Sequence, residues 1–118
     1  MKSLLIVSQS PPYGRSSAAE ALDTAMAAAA LEMPVTLLFD GDGVFQLLPN
    51  QDGTALGVRN HSQLLEALPA FEVERCFVAG PALARRGLAE NALRLPGPVL
   101  DAAALRALYR DAALVLTY

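Results

Sequence analysis

Short apolar runs alternating with helix-patterned segments predict an α/β domain with a mostly parallel sheet of about five strands flanked by helices. Three observations carry this reading. Leu4-Leu5-Ile6-Val7 is apolar without interruption, the pattern of a strand covered on both faces. Further strand-like runs stand at Val35–Phe39, Val73–Ala79, Pro98–Leu100 and Ala113–Tyr118. Between them lie segments with recognisable helix start and stop residues.

In order, Lys2–Ser8 forms the first strand and Gln9–Arg15 a Pro/Gly loop. Ser17-Ala18-Ala19-Glu20 has capping-box spacing and opens a helix that runs to about Glu32, with Leu22, Met26 and Ala29 or Ala30 on one face. Its alanines let it lie close against a sheet. Pro34 restarts the chain, and Val35–Phe39 is the second strand. A polar loop at Asn50–Gly57 precedes a short helix, Ser62–Leu68, with Ser62 as its cap. Val73–Ala79 is the third strand. Pro81 suits the first turn of a helix over Ala82–Arg86 that Gly87 ends. After the fourth strand, Asp101 caps a helix over Ala102–Arg110, and Ala113–Tyr118 is the last strand. No repeat or linker divides the chain, so residues 1–118 read as one domain.

Composition narrows the function. The 118 residues are 53% hydrophobic, above the roughly 45–50% of ordinary domains, which leans towards a buried subunit interface. A net charge of −3 argues against a direct grip on nucleic acid. No apolar run approaches a membrane span or a signal-peptide core, and the one cysteine suits a reducing compartment. The expectation is a cytoplasmic chain. With one Cys and one His, few enzymatic mechanisms are open to it.

The second strand exits into Asp40-Gly41-Asp42-Gly43 and then Val44-Phe45-Gln46-Leu47-Leu48-Pro49. Four apolar residues at the carboxyl edge of a sheet need cover, from the chain's own core or from a partner. Val44, Phe45, Leu47 and Leu48 are therefore the expected interface residues. Asp40 and Asp42 read as turn chemistry rather than as metal ligands, and no metal is expected. The Ser8–Ser17 loop precedes a helix N-terminus and could hold a phosphate, as in flavodoxin-like flavin sites. No phosphate-binding glycine motif is present, and Pro11 and Pro12 remove two N–H donors, so a capped loop without cofactor is the default. His61 reads as a surface residue or cap. Cys76 falls mid-strand, three residues before the reactive edge, and reads as a buried structural thiol rather than a nucleophile.

These features together resemble the TusC/DsrF-like members of the DsrE/F/H-like sulfur-relay (TusBCD) family over essentially the whole chain. The resemblance rests on the first strand with its Pro/Gly loop, on Asp42-Gly43-Val44-Phe45-Gln46-Leu47-Leu48-Pro49, and on Arg75-Cys76-Phe77-Val78 with Arg86-Gly87-Leu88 beyond. It implies a DsrE/F-like, flavodoxin-like fold and a part in 2-thiolation of the tRNA wobble uridine. It also implies assembly with TusB- and TusD-like subunits into a heterohexamer, supplied by a TusA-like sulfur donor and emptied by a TusE-like acceptor. The family's sulfur-carrying cysteine sits in the TusD/DsrE-like subunit, at the end of the third strand. Aligning Arg85-Arg86-Gly87 with that subunit's helix end places Ala79 near the reactive position. The expectation is a non-catalytic structural subunit. The alternatives are a persulfide carrier through Cys76 and a flavodoxin-like ligand-binding module.

Overall fold

The computed structural model describes residues 3–49 and 61–118. The expected Asn50–Gly57 loop lies outside them. The order is β1 (Leu4–Ser8), α1 (Ser17–Ala30), β2 (Val35–Phe39), a 3₁₀ segment (Gly41–Leu47), α2 (His61–Ala67), a 3₁₀ turn (Leu68–Phe71), β3 (Cys76–Ala79), α3 (Gly80–Arg85), a 3₁₀ turn (Glu90–Ala92), β4 (Val99–Leu100), α4 (Ala102–Asp111) and β5 (Leu114–Thr117). The strands form one five-stranded sheet in the order β4-β3-β2-β1-β5, and every pairing is parallel. The expected α/β class and parallel sheet are therefore present.

Every residue of β1 and β2 is buried, which explains their unbroken apolar character. β5 departs from this pattern. It is an edge strand paired only with β1, and Leu114, Val115 and Thr117 are exposed. α1 buries Ala18, Ala21, Leu22, Ala25, Ala28 and Ala29, so its small side chains bring the helix close to the sheet.

Local rules explain where boundaries differ from the sequence reading. α1 ends at Ala30 because Glu32 takes a left-handed conformation (φ 60°). The N–H of Glu32 then donates to Ala29 O and that of Met33 to Ala28 O, closing a Schellman motif without glycine. Gly87 (φ 64°) ends α3 in the same way, with its N–H on Ala84 O and that of Leu88 on Leu83 O. The expected Ser17–Glu20 capping box does not form. Ser16 is the N-cap, and its hydroxyl bonds the Glu20 carboxylate at 2.7 Å rather than a backbone N–H. α2 already includes Ser62, so that residue is not its cap. β3 begins at Cys76 rather than Val73, because Glu72 (φ 67°) turns the chain after the Leu68–Phe71 turn. Asp101 caps α4 as expected, accepting from the Ala104 N–H at 2.8 Å.

The 3₁₀ segment lies directly on the carboxyl end of β1. A Cβ added at Gly43 would sit 1.9 Å from the Ser8 carbonyl oxygen, so only glycine allows the approach. Gly43→Ala should destabilise the protein by about 1–3 kcal/mol or more, since the obstacle is backbone and cannot rotate away. Urea unfolding measures this; an unchanged midpoint would show that the segment does not dock on β1.

Candidate functional site

In a parallel α/β sheet, functional groups gather beyond the carboxyl ends of the strands. Here that edge is built from the loop after β1, the 3₁₀ segment and the β3–α3 junction. A residue that went unremarked in the sequence organises the first two. Gln46 is buried, and its Nε2 donates to Ser8 Oγ at 2.6 Å and to the Ser10 carbonyl at 3.1 Å. Its Oε1 lies 2.6 Å from His61 Nε2. A carbonyl only accepts, so the Gln46 nitrogen faces Ser10, and His61 Nε2 carries the hydrogen that reaches Oε1. Tyr13 adds an edge-on ring contact to His61 and accepts from its backbone N–H.

This network corrects one expectation and accounts for one hydroxyl of the loop. His61 is not a surface residue; it is 3% exposed and binds Gln46. The Ser8 hydroxyl, counted among possible phosphate donors, is buried and already partnered. Farther along the same loop, Gln9 N–H donates to Tyr118 O, and the Tyr118 hydroxyl bonds Thr24 on α1 at 2.8 Å. Tyr118 thus continues the β1–β5 ladder past the strand ends and ties it to α1. The one signal for this network was a glutamine embedded in an apolar run.

The expected interface residues divide by geometry. In a 3₁₀ helix side chains three apart share a face. Val44 and Leu47 are such a pair and sit in the chain's own core at 0% and 1% exposure. They have no surface to offer a partner, which narrows the expected set. Phe45 and Leu48 form the other pair and are half-buried. Around Phe45 lies an open depression of about 340 Å³ lined by Asp40, Asp42, Phe45, Ala82, Arg85 and Arg86. Arg86 lies over the Phe45 ring at 5.9 Å, pairs with Asp42 at 2.9 Å and donates to Ala82 O. Asp40 caps the 3₁₀ segment through the Gly41 N–H and accepts from the Tyr109 hydroxyl at 3.2 Å. Burial, with the nearby Asp40 charge and that hydrogen bond, pushes Tyr109 up to about 12. The two aspartates are thus occupied in turn and pairing roles. Among the described residues, no three His, Cys, Asp or Glu side chains gather as a metal site would require.

At the β3–α3 junction, Ala79 closes the strand and precedes the first turn of α3; it is fully buried and carries only a methyl group. Cys76 opens the same strand, roughly 10 Å back along it at the usual rise per residue. The thiol is buried, and its nearest acceptor is Val73 O at 3.9 Å.

The DsrE/DsrF-like family model matches residues 2–118. The chain belongs to the DsrE/DsrF-like family. It is 44% identical to a TusC homologue of Pseudomonas aeruginosa over 98% of both chains. To the TusC protein of Escherichia coli it is 35% identical over 75% of this chain and 74% of the other. Its fold is similar to the crystal structure of the YchN protein of Escherichia coli, with a TM-score of 0.83, 26% identity and full coverage of both chains. An archaeal structure from Methanobacterium thermoautotrophicum shares the fold at a TM-score of 0.58 and 12% identity. Among the described residues, no helix is long and apolar enough to cross a membrane.

In this member of the DsrE/DsrF-like family, burial pushes the Cys76 thiol from its ordinary 9.0 up to about 11. A nucleophilic cysteine needs the opposite shift. The native protein should react slowly with iodoacetamide near about pH 8 and rapidly once unfolded, with the native rate still climbing towards the raised pKa. The linkage has a definite sign. Between 9.0 and about 11 the unfolded thiol loses its proton while the folded one keeps it, so stability falls as pH rises through that window and is unaffected below it. Fast native alkylation with a plateau near neutral pH would contradict this assignment.

Proposed function

We propose that the chain is a non-catalytic structural subunit of a sulfurtransferase complex, relaying persulfide sulfur for 2-thiolation of the tRNA wobble uridine. In this reading it is a single DsrE/F-like domain acting in the cytoplasm. It assembles with TusB- and TusD-like subunits into a heterohexamer, accepts traffic from a TusA-like donor and serves a TusE-like acceptor. The observation that carries the proposal is the pairing of a buried alanine at the strand end with a buried, proton-retaining cysteine at the strand start. A persulfide carrier needs an accessible thiolate at a position a partner's sulfur can reach. Ala79 stands at the strand end with only a methyl group to offer; Cys76 has the sulfur, but lies at the strand start with a thiol that burial keeps protonated. Similarity to proteins named TusC supports the choice of complex.

The proposed scaffold surface is the half-buried pair Phe45 and Leu48, with Arg85 and Arg86 lining the same depression as Phe45. An aromatic ring backed by arginine at the rim of a depression is the kind of anchor that a partner desolvates. Phe45 already packs against Arg86, so little rearrangement is needed on docking.

Two substitutions made in the intact complex separate the roles. Phe45→Asp should lose the partner subunits in co-purification while costing the isolated fold only about 1 kcal/mol. Cys76→Ala should leave both assembly and tRNA thiolation intact. Lost thiolation in a Cys76→Ala complex that still assembles would overturn the non-catalytic reading, and normal assembly of Phe45→Asp would remove the proposed surface.

A further inference from the structure

A second feature lies apart from the reactive edge. A cavity of about 410 Å³ opens between α2, the turn that follows it and the segment leading into β4. Buried Leu47, Leu68, Val73 and Cys76 form its floor, and Leu65 and Leu95 stand at the rim. Backbone fixes its walls. The Arg94 N–H donates to Leu47 O at 2.8 Å, and the Val73 N–H to Leu68 O at 3.0 Å. Gly97 lies so close to β3 that an added Cβ would be 1.8 Å from the Cys76 carbonyl oxygen. The shape is therefore a property of the folded chain rather than of mobile rotamers. A preformed, mostly apolar recess of this volume with a few polar groups at its mouth is the usual form of a small-molecule site.

The charges at the mouth select the ligand. Arg94 and Glu66 pair at 2.7 Å and neutralise one another. Glu74 also lines the cavity and is exposed, which leaves a net negative charge beside an apolar floor. We propose that this cavity binds a small amphiphilic amine. Its apolar body rests on Leu68, Val73 and the neutral Cys76 thiol, and its ammonium faces the Glu74 carboxylate. A carboxylate head would meet two acidic side chains, and among the described lining residues the one cation, Arg94, is already engaged with Glu66. The proposal is independent of the scaffold role and needs no partner subunit.

Titration of the full chain with phenylbutylamine, phenylbutanol and phenylbutyrate tests it, because the three share a body and differ in the head. Saturable binding should perturb the NMR signals of Leu47, Leu65, Val73 and Leu95. The amine should bind about three- to fivefold more tightly than the alcohol, the size of one exposed ion pair, and the carboxylate most weakly. Glu74→Gln, a surface change that leaves the core alone, should reduce the amine to the alcohol's affinity. Leu65→Trp should fill the mouth and abolish all three. Three results would each overturn the proposal: no saturable binding, perturbations outside the cavity, or an order of affinities that ignores the head group or Glu74.

Discussion

A primary amide sealed from water must have its N–H groups and its carbonyl partnered, or the fold loses more than a hydrogen bond's worth of stability. Gln46 meets that demand by joining three parts of the chain: the end of β1, the loop after it, and the first residue of α2. The contact requires the 3₁₀ segment to lie on β1 at backbone distance, which Gly43 permits. Once the segment is seated, its threefold repeat sends Val44 and Leu47 inward and leaves Phe45 and Leu48 half-buried. The layout of the edge follows from one polar side chain among apolar neighbours.

The same edge accounts for what the chain is equipped to do. The loop after β1 is tied to Tyr118, the Ser8 hydroxyl is engaged with Gln46, and the β3 terminus is a buried methyl group. These side chains stand where this architecture normally displays its functional groups. Beside them lies a depression lined by an aromatic ring, two arginines and two aspartates. The proposed scaffold role rests on that lining together with the buried Ala79 and Cys76.

Legibility in the sequence followed the range of the interactions involved. β1, β2 and the Asp101 cap were readable because an apolar run or a side chain three residues away determines them. The α/β class followed from alternation alone. His61 was misplaced because its burial depends on Gln46, fifteen positions earlier. The start of β3 was missed because Glu72, a residue with no intrinsic liking for positive φ, makes the turn. Val44 and Leu47 looked like interface residues because a 3₁₀ period is invisible in so short a run. The burial of Cys76 was legible from its apolar strand context, although it opens β3 rather than lying within it.

The most direct measurement is native mass spectrometry of the tagged chain purified from its own host, with the location of any additional sulfur resolved by subunit. The account expects a mixed assembly with two small homologous subunits, the added sulfur residing on a partner and Cys76 unmodified. A lone chain or homo-oligomer with sulfur on Cys76 would contradict it and make this subunit a carrier.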